Sequence, residues 1–176
     1  MSDPPVVGIV MGSESDRPTM QRCCEVLDGY EVPYEVVVRS AHRDPEGCRE
    51  WATSAEGRGL KVLIAAAGGA AHLPGVVAAW SVLPVIGVPM SAGALGGLDA
   101  LLSMAQMPAG IPVATVAIGE TGARNAAHLA MGILALNDSG ARDKLIKRRE
   151  AARGQSQPDA GGQRSPRGSK TESATG

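Results

Sequence analysis

Phenylalanine is absent from the 176 residues, and two Trp and two Tyr make up the whole aromatic content. A core without many large rings has to be assembled from Val, Ile, Leu, Ala and Met. Small side chains then let helices, strands and neighbouring subunits approach closely. Charge is also scarce: between Val62 and Gly119 the only formally charged residue is Asp99. Such a stretch invites a membrane reading, but Pro and Gly divide it into pieces shorter than the roughly 20 apolar residues of a spanning helix. The three cysteines, Cys23, Cys24 and Cys48, form no C-x-x-C pair and have no His at metal-ligand spacing. They read as reduced thiols. The opening "MSDPPVVG" has no basic segment followed by an apolar run, so no secretory signal is expected and the cytoplasm is the expected location.

Several chemistries are excluded by missing motifs. There is no G-x-x-x-x-G-K-[ST], no H-E-x-x-H and no G-x-S-x-G, and "GSESD" is not G-x-G-x-x-G. Nucleoside triphosphates, zinc proteolysis and a dinucleotide fingerprint all lose support. No lysine lies near the loops singled out below, which disfavours Schiff-base chemistry. The net charge of −1 hides a split. Residues 1–141 hold 8 Lys/Arg against 14 Asp/Glu, whereas residues 142–176 hold 9 against 4. A mildly acidic body argues against a nucleic-acid partner, and the basic tail has no interleaved aromatics to suggest one.

What the chain does contain is a regular alternation. Short β-branched or apolar runs recur at Val6–Met11, Tyr34–Arg39, Val62–Ala66, Val85–Val88 and Val113–Ile118. Helical stretches separate them, and no hairpin dipeptide joins consecutive runs. This predicts an α/β fold: a parallel five-stranded central sheet with helices on both faces, because right-handed crossovers must cover each side. In "SESDRP", Ser15 or Asp16 is the expected N-cap, with Pro18 in the first turn; in "RDPEG", Asp44 caps and Pro45 follows. A long helix is expected over about Thr121 to Asn137 and a charged amphipathic one over Ala141 to about Arg153. One domain over residues 1–153 then precedes a tail, 154–176, whose Gly, Ser, Pro and charge without periodicity predict disorder. The helices in the charge-poor stretch would be apolar nearly all round, so a homo-oligomer is expected.

In an open α/β sheet, ligands bind outside the carboxyl ends of the strands. The loops there are "MGSESD", "RSAHRD" and "AAAGGAAHLPG". The first offers backbone N–H groups, hydroxyls and a helix N-terminus, a cradle for phosphate or carboxylate. Asp16 is placed either to cap that helix or to accept hydrogen bonds from ribose hydroxyls. The "GGAA" stretch suits a ligand lying against backbone, or equally close strand–helix packing. His42 sits among Ser40, Arg43 and Asp44. A loop imidazole is matched to proton transfer near neutral pH, its free pKa being about 6.5. Arg43 can grip a phosphate through two parallel hydrogen bonds. His72 is a second candidate, with loop stabilisation as the alternative, while His128, among alanines in a helix, reads as packing. Residues alone thus lead to a flavodoxin-like oligomer that binds a small phosphorylated ligand.

Taken together, "VGIVMGSESD", "SAHRDP", "AAGGAAHLPG", "PVIGVP" and "QMPAGIPVATVAIG" resemble the signature segments of the class I PurE family, the N5-carboxyaminoimidazole ribonucleotide mutases of purine (IMP) biosynthesis. The likeness runs from about Val6 to Asp138. It implies a flavodoxin-like three-layer α/β/α sandwich and a homo-octamer with sites at subunit interfaces. It also implies aminoimidazole ribonucleotide as the bound nucleotide, no metal, and no nucleotide or organic cofactor. The implied reaction is an isomerisation that moves a carboxyl group from N5 to C4, with His42 as catalytic acid and base. Ser13, Asp16, Ser40 and Arg43 are implied to bind the ribose phosphate and its hydroxyls, and Gly68, Gly69, Ala70 and His72 to line the carboxylate and imidazole side. The nearest rival is a class II carboxylase that uses aminoimidazole ribonucleotide and carbon dioxide directly. A non-catalytic flavodoxin-like module is the other, although a flavin carrier would need aromatics near these loops and a phospho-receiver would need acidic residues there.

Overall fold

Alternation with a period of two decides which side chains of the strands meet which helices. The computed structural model describes residues 3–155. Five strands, β1 (Val7–Met11), β2 (Tyr34–Val38), β3 (Val62–Ala67), β4 (Val85–Pro89) and β5 (Ala114–Thr115), form one parallel sheet in the order β2-β1-β3-β4-β5. Six helices accompany them: α1 (Arg17–Gly29), α2 (Pro45–Ser54), α3 (Leu73–Trp80), α4 (Leu98–Ala105), α5 (Gly119–Leu134) and α6 (Ser139–Gln155). Val7, Ile9 and Met11 of β1, with Val62, Ile64 and Ala66 of β3, pack on one face with α1 and α5. Val10, Leu63, Ala65 and Ala67 point the other way, onto α2, α3 and α4. This is the expected three-layer sandwich, with strand residues buried on both faces as parallel sheets require.

The small core residues decide how close the layers come. Ala123, Ala126, Ala127 and Ala130 form the buried stripe of α5, and Gly8 in β1 leaves room for Trp51, Leu60 and Leu63; a Cβ there would stand 2.8–2.9 Å from their side chains. Trp51 is itself anchored by its indole N–H, which donates to Glu35 at 2.7 Å. The cysteines are free and buried, and burial pushes the Cys23 thiol well above its ordinary value, as befits inert packing thiols.

Differences from the expected elements are local. β5 is two residues long rather than six, because Pro89 ends β4 without an N–H and the chain turns at Gly119, φ +72°, to start α5. Asp16 takes the expected N-cap position of α1, and the short turn ahead of it is capped by Ser13. The Ser13 Oγ accepts from Ser15 N at 3.3 Å over a 3-10 turn, Glu14–Asp16, and Asp16 makes no side-chain capping bond. Asp44 does cap α2, accepting from Gly47 N at 3.1 Å. The charged helix α6 runs from Ser139 to Gln155, mostly exposed and two residues into the expected tail, and 156–176 lie outside the described residues. No helix among the described residues is long and apolar enough to cross a membrane.

His128 is a packing residue. Tyr30 Oη and His128 Nδ1 are 2.9 Å apart, joining the end of α1 to α5, and burial, with Arg148 and Arg149 nearby, pushes the imidazole below its ordinary value. The unfolded ring takes up its proton near pH 6.5, about the free value, while the folded ring resists. The folded state therefore binds fewer protons, and stability falls as pH drops through that value. His128→Asn is expected to flatten the fall in thermal midpoint between about pH 7.5 and about pH 5.5, measured at one protomer concentration.

Candidate active site

The sheet order reverses beside β1: the chain leaves β1 for β2 on one side and returns for β3 on the other. That switch point opens a crevice at the strands' carboxyl ends. The loops after β1, β2 and β3 close on it and bound a cavity of about 390 Å³. Its wall includes Ser13, Asp16, Ser40, His42, Arg43, Gly68 and Ala70. These are seven of the nine residues named from sequence. Gly69 and His72 are not on the wall. Gly69 instead turns the loop at φ +60°, a conformation that favours glycine, and a Cβ there would meet nothing.

Each functional group is held by its own loop. Arg39 N bonds Met11 O at 2.9 Å, extending the β1–β2 ladder up to the second loop. Asp44 N then donates to Ser40 O at 2.8 Å, closing the turn that carries His42 and Arg43. Ser40 Oγ accepts from Arg43 N at 3.2 Å and Nε at 3.4 Å, and the guanidinium donates to Gly12 O at 3.4 Å, so Arg43 leans across to the first loop. Ser13 Oγ accepts from Ser15 Oγ at 2.8 Å. His42 Nε2 and His72 Nδ1 are 2.8 Å apart, with the rings nearly perpendicular.

Asp16 is the electrostatically costly member. Burial pushes its carboxyl above the ordinary carboxylate range, and hydrogen bonds from the Ser13 backbone and Ser15 offset this only in part. A half-buried carboxylate excused from capping duty is available to accept hydroxyl hydrogen bonds from a ligand. The penalty on the charged form is absent at low pH, where folded and unfolded states are both protonated, and grows as pH rises through the carboxylate range. Asp16→Asn is therefore expected to raise the thermal midpoint slightly at pH 7 and not at pH 3, while weakening binding of a hydroxyl-bearing ligand about 10-fold or more. Calorimetry in both buffers, with a titration of ligand at pH 7, checks this; a lower midpoint at pH 7 would contradict it.

The model of the family described as AIR carboxylase matches residues 6–155. The chain belongs to the AIR carboxylase family. Within that family it is similar to the N5-carboxyaminoimidazole ribonucleotide mutase of Pyrococcus abyssi, 58% identical over 146 residues, 83% of each chain. The mutase of Bacillus subtilis is 56% identical over 146 residues, 83% of this chain and 90% of that one. Among solved structures, the crystal structure of Treponema denticola PurE aligns with a TM-score of 0.78 at 28% identity, covering 86% of this chain and 93% of that one. The AIR carboxylase match runs on through α6, past Asp138, where the recognisable sequence motifs end.

Two features of this site lie beyond the residues named from sequence. Ala92, in the loop after β4, joins the cavity wall, as do Gly12, Ser15, Ala41, Ala67 and Leu73. The strand-end rule already pointed there: "SAGALGG" follows β4 at the same edge as the other loops. The His42–His72 contact carried no signal, since it joins loops 30 residues apart.

Proposed function

We propose that the chain is an N5-carboxyaminoimidazole ribonucleotide mutase of purine biosynthesis. The observation that carries the reading is a cavity at the switch point, of a size suited to a small nucleotide, with His42 on the same wall as Ser13, Asp16 and Arg43. The names of the relatives specify the N5-carboxylated ribonucleotide, so that compound, rather than aminoimidazole ribonucleotide itself, is the substrate assigned here. Arg43 and the "GSES" backbone take the phosphate, Asp16 and Ser40 the ribose hydroxyls, and Gly68 and Ala70 let the imidazole and carboxylate lie against backbone.

The chemistry follows from His42. Its imidazolium protonates N5 as the N5–carboxyl bond breaks, the bonding pair staying on nitrogen and carbon dioxide departing. Electrons of the enamine then attack carbon dioxide from C4, and His42, now neutral, takes the C4 proton. The proton lent in the first half returns in the second, so no net acid or base is consumed. Carbon dioxide has to be retained between the two halves, which the apolar wall of Ala41, Ala67, Ala70, Leu73 and Ala92 favours.

Assembly and location extend the reading. Trp80, Val82, Leu95, Leu98 and Leu102 are exposed on or beside α3 and α4, the charge-poor stretch. Covering them with further copies fits a homo-octamer, and three free buried thiols fit the cytoplasm. A single domain that reaches the end of α6 at Gln155, two residues past the expected boundary at 153, fits the helices packed round one sheet among the described residues. The deciding experiment compares initial rates with N5-carboxyaminoimidazole ribonucleotide and with aminoimidazole ribonucleotide plus bicarbonate. Fast turnover of the first alone is expected; efficient use of the second would make the chain a carboxylase, and neither would leave a binding module. The cavity wall carries no Trp or Tyr, which disfavours a flavin module.

A further inference from the structure

The contact between the two loop histidines has chemical consequences beyond holding a loop. His42 Nε2 and His72 Nδ1 lie 2.8 Å apart, with ring centroids separated by 5.0 Å and planes at 86°. Two imidazole nitrogens at that distance share a single proton, so one ring donates and the other accepts. Among the described residues Nδ1 of His42 has no protein partner, which leaves it as the nitrogen that can serve a substrate.

Two arrangements satisfy the contact. If His72 donates, neutral His42 carries its proton on Nδ1, and releasing it would create an imidazolate, far too basic to form near neutral pH. If His42 donates from Nε2–H, its Nδ1 alternates between N–H in the imidazolium and a lone pair in the neutral ring. Only the second arrangement lets one ring act as acid and then as base without changing tautomer.

We infer that His72 is a positioning residue: as its own Nε2–H tautomer it accepts through Nδ1 from His42 Nε2–H, and so holds the lone pair of neutral His42 at Nδ1. The catalytic consequence rests on the mutase reading; the hydrogen-bond polarity does not. The proton leaving Nδ1 for N5 of the substrate returns to Nδ1 from C4, the Nε2 proton stays in place, and His72 exchanges no net proton in a turnover. This role differs from lining the substrate pocket, and it accounts for His72 standing off the cavity wall.

Two measurements on the full chain test it. Long-range proton–nitrogen correlation spectra of ¹⁵N-histidine-labelled protein, at a pH where the rings are neutral, report each tautomer directly. Both His42 and His72 are expected as Nε2–H, and a His72 Nδ1–H tautomer would overturn the inference. In kinetics, His72→Asn keeps an amide oxygen able to accept near the place of Nδ1, whereas His72→Ala does not. The alanine variant is expected to lose about 10–100-fold in kcat, part of the 10²–10⁴ general acid–base contributes, with KM within about 3-fold, and the asparagine variant to recover most of that loss. Equal losses in both variants, or a raised KM at unchanged kcat, would overturn it. If the unaltered protein turns over no N5-carboxylated substrate, the mutase reading fails while the spectra still decide the pairing.

Discussion

His42→Asn is expected to lower turnover of N5-carboxyaminoimidazole ribonucleotide by about 10³-fold or more, with ligand affinity and assembly nearly unchanged. General acid–base catalysis by one group is worth about 10²–10⁴, and here the same group serves both half-reactions. An amide can occupy the place of the ring and keep a hydrogen bond to His72, but it neither gives nor takes a proton near neutral pH. The side chain is exposed, and His72 is its only side-chain hydrogen-bond partner among the described residues, so folding loses little. Arg43, Ser13 and Asp16 stay on the cavity wall, and on the proposed reading they go on binding the ribonucleotide. Initial rates, with a dissociation constant for the unreacted substrate and a sedimentation profile, separate the cases. Turnover near that of the unaltered protein would end the catalytic assignment, and a variant that neither binds nor assembles would make His42 structural instead.

Much of this arrangement was legible in the chain because parallel α/β folds write their rules locally. Each strand appears as a β-branched run, and Asp44-Pro45 marks its helix start through geometry that needs no tertiary partner. Once strands and loops are placed, the carboxyl-end rule brings three loops together, and the family resemblance picks out Ser13, Asp16, Ser40, His42, Arg43, Gly68 and Ala70, which line one cavity there. What stayed hidden depends on distances of a few ångström between segments remote in sequence. Asp16 holds the N-cap position of α1 without making a side-chain capping bond, while Ser13 caps the 3-10 turn ahead of it, and this leaves the carboxylate on the cavity wall. His72 reads from sequence either as a pocket residue or as a support for its loop; that its Nδ1 meets His42 Nε2 depends on side-chain torsions that composition does not reveal. The apolar run at Val113–Ile118 overstates β5, because composition does not reveal where Pro89 stops supplying partners.

The largest expected loss of stability comes from a glycine that the sequence does not advertise. A Cβ built on Gly122, in the first turn of α5, would lie 1.6 Å from the Ala117 carbonyl oxygen and 2.6 Å from its carbon. Overlap with backbone cannot be relieved by a rotamer change. The Ala117 segment is tied to the sheet, since Val116 N donates to Gly87 O at 3.1 Å, so α5 would have to lift or that bond would have to break. Lifting α5 opens the stripe of Ala123, Ala126, Ala127 and Ala130, whose small size leaves no side chain long enough to refill the gap. Gly122→Ala is therefore expected to cost about 3 kcal/mol or more. For a chain of this length that corresponds to a drop in thermal midpoint of about 6–12 °C. Gly132, in the same helix, provides the contrast. Nothing lies within 4 Å of a Cβ there, so Gly132→Ala is expected to be neutral or to stabilise by about 0.5–1 kcal/mol through helix propensity alone. Thermal unfolding of both variants at one protomer concentration reads the difference. Equal midpoints would mean that α5 slides freely over the sheet, and that close helix–strand approach is not what the glycine and alanine content of this core provides.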